Sequence, residues 1–182
     1  MHDDMDIADD VTGLAELILD GGLSDGFRTK ATLAAKTVGT DDIDDLQHLF
    51  HHPPPEPETY DVARHGLGGW LSACQFAAFE LLYNIGEPAL PFLRQIAWGP
   101  YDWTQGNAIE IMIRLAARGV ATGAIVDDVK RNFPDIRYEA QLYALEPLLP
   151  LLDTDDGLAR VVEELKRCAA FAEIYTELTE NR

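Results

Sequence analysis

Gln75-Phe-Ala-Ala-Phe-Glu-Leu-Leu-Tyr-Asn-Ile85 is followed by Gly86-Glu87-Pro88 and then by Ala89-Leu-Pro-Phe-Leu-Arg-Gln-Ile-Ala97. Two apolar runs of helical length meet at a three-residue punctuation. Gly86 can end a helix in a left-handed conformation without a Cβ penalty, and Pro88 suits the first turn of the next helix, where its missing N–H is not needed. The stretch therefore reads as a tight helical hairpin. The same plan follows, with Asn107 to Arg118 before Gly119 and Ile125 to Phe133 after it, so the two corner glycines lie 33 residues apart. A third echo, Glu146-Pro147-Leu148-Leu149-Pro150-Leu151-Leu152, matches Glu87-Pro88-Ala89-Leu90-Pro91-Phe92-Leu93 at five of seven positions, at an offset of 59.

A period in the thirties built from two helices is the mark of an α-solenoid, in which each hairpin buries its apolar face on the next. The pattern resembles short HEAT-like repeats through Ala77, Ala78, Leu81, Ile85, Gly86, Pro88, Ala89, Pro91 and Leu93. It departs from them at Gly119, which no proline follows, and in the shortened third unit. The resemblance implies a scaffold with an extended surface and says nothing of a reaction.

The 182 residues carry 32 acidic and 14 basic side chains, a formal net charge of −18. Such a field repels nucleic-acid phosphates and anionic lipid heads, so we expect neither as a partner, and it attracts a basic protein. Solubility alone also accounts for it. Cys74 and Cys168 sit apart in apolar helical sequence and read as buried thiols of a reducing cytosol. No uncharged run approaches membrane-spanning length, and the first residues, Met-His-Asp-Asp-Met-Asp, lack a signal-peptide pattern. A cytoplasmic protein is the expectation.

Along the chain, residues 1–8 read as a disordered acidic tail and 9–52 as an N-terminal helical section. Its first helix is capped by Asp9 or Asp10, a second runs from Ser24 to Val38, and a third is capped by Thr40. Residues 53–69 form a Pro/Gly-rich connector, because the prolines from Pro53 to Pro57 remove donors and fix φ. Gly66-Leu-Gly-Gly-Trp70 has no preceding strand and no Lys or Ser/Thr at phosphate-loop spacing, so it reads as a helix break. Residues 70–182 form the repeat region, with Thr104 and Asp135 as helix caps, a short helix from Pro147, and a capping helix from Leu158 to about Leu178.

Four features invite a functional reading. Trp98-Gly-Pro-Tyr101-Asp102-Trp103 places three large aromatics in six residues between the first two units, where they either fill a packing gap or anchor a partner. Asn107, Glu110, Arg114 and Arg118 make a polar stripe, and Glu110 precedes Arg114 in the favourable order for a helical ion pair. Glu80 is the one formal charge between Trp70 and Ile85, and it reads either as a ligand-contacting carboxylate or as half of a structural pair. His48 and His52 stand four residues apart, a spacing that can hold zinc or nickel with a carboxylate, though surface histidines look the same.

No nucleophile elbow, Cys-x-x-Cys or His-Glu-x-x-His occurs, and serine is limited to Ser24 and Ser72. We expect an all-α protein, a short right-handed α-solenoid of HEAT-like hairpins with an N-terminal helical section, and no cofactor. The expected function is non-enzymatic binding of a protein through Trp98, Tyr101, Asp102, Trp103, Glu110 and Arg114. An acidic inhibitor or immunity-type protein for a basic partner is its concrete form. The alternative is a metal-binding protein or metal-dependent enzyme centred on His48 and His52.

Overall fold

The computed structural model describes residues 7–180, which form eleven α-helices joined by turns and four short 3₁₀ segments, with no strand among them. By packing, the chain divides at the Gly86 corner into two compact units, one ending at Ile85 and the other starting at Gly86.

The first unit holds α1 (Ile7–Gly21), α2 (Asp25–Ala34), α3 (Ile43–His51), α4 (Val62–His65) and α5 (Gly69–Ile85). Because α5 is apolar on every face, it can only be a central helix. It packs against all four of the others. Trp70, Ala73, Cys74, Ala77, Phe79 and Leu81 are each at most 2% exposed. Phe50 of α3 meets Phe79 edge-on, with ring centroids 5.1 Å apart. The proline run is pinned to this core, since the Trp70 Nε1–H donates to Pro54 O at 2.7 Å. The Tyr60 hydroxyl accepts from Trp70 N at 3.1 Å and donates to Gly66 O at 2.5 Å, which fixes the entry to α5.

Local details depart from expectation here. Ile7 and Ala8 belong to α1, and the rest of the expected tail lies outside the described residues. The second helix stops at Ala34 instead of Val38, because Lys36 N and Thr37 N turn back to Leu33 O and Ala34 O. Thr40 opens a 3₁₀ turn, Thr40–Asp42, in place of capping α3; the turn is held by Gly39 N donating to Asp42 Oδ2 at 2.7 Å.

The second unit holds α6 (Leu90–Ala97), α7 (Gln105–Ala117), α8 (Thr122–Asn132), α9 (Tyr138–Leu145), α10 (Asp156–Leu165) and α11 (Ala169–Glu180). Its central helix is α7, covered by α6, α8, α9 and α10. Gly106 lets α9 approach: a Cβ there would lie 2.3 Å from Ala140 O and 2.6 Å from Tyr143 Cβ. Gly86 and Gly119 both have positive φ, 88° and 92°, which a side chain would disfavour. Polar ties link the outer helices, with Arg94 Nε to Asp128 Oδ2 at 2.7 Å and Lys130 Nζ to Glu164 Oε1 at 2.5 Å.

A short helix does begin at Pro147, in 3₁₀ form over Glu146–Leu151. Two expectations fail in this unit. Asp135 ends a 3₁₀ turn, and Arg137 takes the N-cap position of α9. The single long C-terminal helix is two helices, with a turn at residues 166–168. At about 100° per residue, a straight continuation of α10 would put Phe171 and Ile174 roughly opposite Leu158, Val161, Val162 and Leu165. The turn lets both sets be buried, and Phe171 is 0% exposed.

Candidate functional site

The loop between α6 and α7 is short, aromatic and braced at both ends. Asp102 Oδ1 accepts from Thr104 N at 2.8 Å and from Thr104 Oγ1 at 2.9 Å, so the carboxylate terminates the loop and Thr104 makes no side-chain cap of its own. Gln105 Nε2 donates to Gly99 O at 3.3 Å and closes the base of the loop. Between these braces Tyr101 is 41% exposed and Trp103 36%, while Trp98 is half-buried. Two rings are therefore held at the surface by a frame that does not need them for its core.

Beside the loop lies a groove of about 330 Å³, lined on one side by Trp98, Tyr101 and Gln105 and on the other by Asn132, Asp135 and Arg137. The second wall comes from the segment joining α8 to α9. Arg137 crosses the groove, its guanidinium carbon 4.3 Å from the centroid of the Tyr101 ring, a cation–π contact. Two polar groups in the lining are already engaged: Asn132 Nδ2 donates to Asp128 O at 2.8 Å, and Gln105 Nε2 to Gly99 O. The Trp98 Nε1–H differs, being buried with no acceptor. Leaving a buried donor unmet costs about 1–3 kcal/mol.

The remaining expected residues divide sharply. Glu110 and Arg114 do pair, at 3.3 Å, but on the central helix of the unit, where Glu110 is only 8% exposed and Asn107 7%. Four helices cover α7, which buries Asn107 and Glu110, whereas Arg114 is half-buried and Arg118, at the C-cap, is exposed. Glu80 is 6% exposed on α5, and its backbone carbonyl accepts from Asn84 Nδ2 at 2.8 Å. His48 and His52 are exposed and stacked, with centroids 4.7 Å apart and planes 19° apart. Nitrogen lone pairs lie in the ring planes, so near-parallel rings aim them side by side and not toward one ion. No group of three or more His, Cys, Asp or Glu among the described residues is arranged to hold a metal.

A second concavity of about 360 Å³ lies in the first unit and is lined by Glu16, Asp20, Asp61, Tyr60 and His65, among others. Asp61 also caps α4 through Ala63 N and Arg64 N. Apart from His65, its lining carries no basic side chain. Elsewhere, burial pushes the Cys74 thiol up to about 12, and the hydrogen bond from Lys130 holds Glu164 below the usual carboxylate range.

Arg137, Asn132 and Asp135 are not legible as site residues in the sequence, because they lie about thirty residues from the aromatic loop and no motif marks them. The acidic lining of the first unit is equally silent, with Glu16 and Asp20 on one helix and Asp61 beyond the proline run. Set against known families, curated proteins and solved structures, the chain shows no significant match to any.

Proposed function

We propose that this chain is a non-enzymatic protein-binding scaffold, a short right-handed HEAT-like stack whose aromatic loop grips a partner protein. The observation that carries the reading is the pair of exposed rings, Tyr101 and Trp103, on a loop braced by Asp102, Thr104 and Gln105. Rigid aromatics that bury much area at low rotamer cost are the usual interface anchors.

Within the second unit, several features support the repeat reading. Consecutive helices pack (α6 on α7, α7 on α8), and so do alternate ones (α7 on α9, α8 on α10, α9 on α11). Both Glu-Pro-x-Leu-Pro motifs begin as 3₁₀ segments, and the corner glycines share a positive φ. The net charge of −18 and the acidic concavity of the first unit favour a partner with a basic surface, whose Lys or Arg side chains those carboxylates would receive. An acidic inhibitor or immunity-type protein fits that electrostatics. Two free cysteines suit a reducing, cytoplasmic setting. No helix among the described residues is long and apolar enough to cross a membrane.

The test is affinity capture with the unmodified chain and with a Tyr101→Ser/Trp103→Ser variant. The expected result is a basic protein retained by the former, released as salt rises, and lost from the latter. Equal capture by both would place the interface elsewhere and end this reading.

A further inference from the structure

The large apolar side chains open to solvent differ in kind between the two units. Among the described residues of the first they are aliphatic, Leu23, Leu33, Val62, Leu67 and Leu71; in the second they are aromatic, Tyr101, Trp103, Tyr138 and Tyr143. The four rings belong to neighbouring elements. Tyr101 lies under the guanidinium of Arg137, the residue before Tyr138. Trp103 stands three residues before Gly106, where α9 packs so closely that an added Cβ would lie 2.6 Å from Tyr143 Cβ. The loop therefore runs beside α9, and α9 supplies two of the four rings.

What α9 adds to those rings is charge in register. At about 100° per residue, Tyr138 and Tyr143 stand about 140° apart and bound the solvent arc of the helix. Ala140, Gln141, Ala144 and Leu145 fill the opposite arc and are buried. Glu139 and Glu146 fall between the two tyrosines, about 100° and 80° from Tyr138, and both are exposed. Glu146 is the C-cap and keeps helical dihedrals, φ −55° and ψ −43°. Seven residues of helix set the two glutamates about 10 Å apart along the axis. No Lys or Arg lies between Tyr138 and Glu146. Tyr138 is held in place by its hydroxyl, which donates to Glu177 Oε1 on α11.

A carboxylate flanked by aromatic faces suits a guanidinium, whose plane stacks on a ring while its N–H fork meets the oxygens. The molecule already uses the stacking half of that mode, with Arg137 lying 4.3 Å over the centroid of Tyr101. We infer that the outer face of α9 is a docking surface for an arginine-bearing segment of another protein. Two arginines reach Glu139 and Glu146 between Tyr138 and Tyr143; in an extended chain a spacing of three residues spans the same distance of about 10 Å. This rests on, and deepens, the protein-binding reading: it names the side chains the basic partner offers and carries the gripping surface from the loop onto α9.

The test follows the rings directly. The full chain has six tyrosines, whose ring signals in a ¹H–¹³C spectrum are assigned by Tyr→Phe substitution. Tyr60, in the first unit with its hydroxyl bonded to Gly66 O and Trp70 N, is the internal standard. The probes are acetyl-Arg-Gly-Gly-Arg-amide and the same peptide with Lys or Gln at both ends. The expected result is a saturable shift of the Tyr138 and Tyr143 signals with the Arg peptide, a weaker one with Lys, none with Gln, and an unmoved Tyr60.

Glu139→Gln and Glu146→Gln should each lose part of the response, and the double variant should weaken it at least tenfold; their own spectra verify folding. No shift at millimolar Arg peptide, an equal response to the Lys or Gln peptide, or an unchanged response in either single variant would each overturn the inference. These variants leave Tyr101 and Trp103 in place. Capture of the basic partner that is lost in Tyr101→Ser/Trp103→Ser but intact in Glu139→Gln/Glu146→Gln would therefore overturn this inference and leave the loop reading standing.

Discussion

At the scale of single residues, burial decides chemistry that residue type leaves open. Cys74 and Cys168 look alike in sequence, yet Cys74 is 0% exposed whereas Cys168 is half-buried, its Sγ 3.8 Å from Lys130 O. A thiol-specific reagent at pH 8 should label Cys168 in the native protein and Cys74 only after unfolding, as read by mass spectrometry. The raised Cys74 pKa has a definite sign in stability. With the folded thiol near 12 and an ordinary value of 9.0, the folded state keeps a proton that the unfolded chain has released. Stability contributed by Cys74 is therefore intact below pH 9 and falls as pH rises toward 12, by about 2 kcal/mol at pH 10.5. Urea midpoints at pH 8 and 10.5 should show that loss in the unmodified chain and a smaller one in Cys74→Ala. Glu110 and Arg114 make a related case. Arg114→Met removes a cation 3.3 Å from a carboxylate that is 8% exposed, and should cost about 3 kcal/mol in urea unfolding. Adding Glu110→Gln should recover part of it.

At the scale of elements, close approach competes with intrinsic propensity. Replacing a helical Gly by Ala gains roughly 1 kcal/mol where the site is open. A methyl group added at Gly13, inside α1, would have nothing within 4 Å, whereas at Gly106 the same methyl meets the backbone of α9 at 2.3 Å. Gly13→Ala should raise the melting temperature and Gly106→Ala lower it, the latter by about 1–3 kcal/mol of overpacking less the propensity gain. Matching signs for the two would show that α9 can yield. The break between α10 and α11 belongs to this scale too. Leu158, Val161, Val162 and Leu165 announce the first stripe clearly, but no Gly or Pro stands at residues 166–168 to mark the turn. Only the opposed placement of Phe171 and Ile174 hints at it.

At the scale of the whole molecule, a net charge of −18 on 182 residues works against compaction through self-repulsion. Raising salt from about 10 to 300 mM shortens the Debye length from about 30 Å to well under 10 Å, so the repulsion is screened and the melting temperature should rise. A fall would mean that ties such as Arg94–Asp128 and Lys130–Glu164 outweigh it. The same screening should weaken capture of a basic partner, so one salt series separates folding from binding by opposite trends.

The order of residues was enough to establish that the protein is helical, that Gly86 and Gly119 are corners, that the prolines after His52 end α3, and that Trp70–Ile85 is one apolar helix. Each follows from local chemistry: φ freedom, missing donors, or an apolar run with no polar face. Packing in three dimensions was needed to turn Asn107 and Glu110 inward, to stack His48 and His52 in parallel, and to set Arg137 against Tyr101 in a groove that Trp98 also lines. Those outcomes depend on which helices cover a given face and on chain segments some thirty residues apart meeting in space, and neither leaves a periodic trace along the chain.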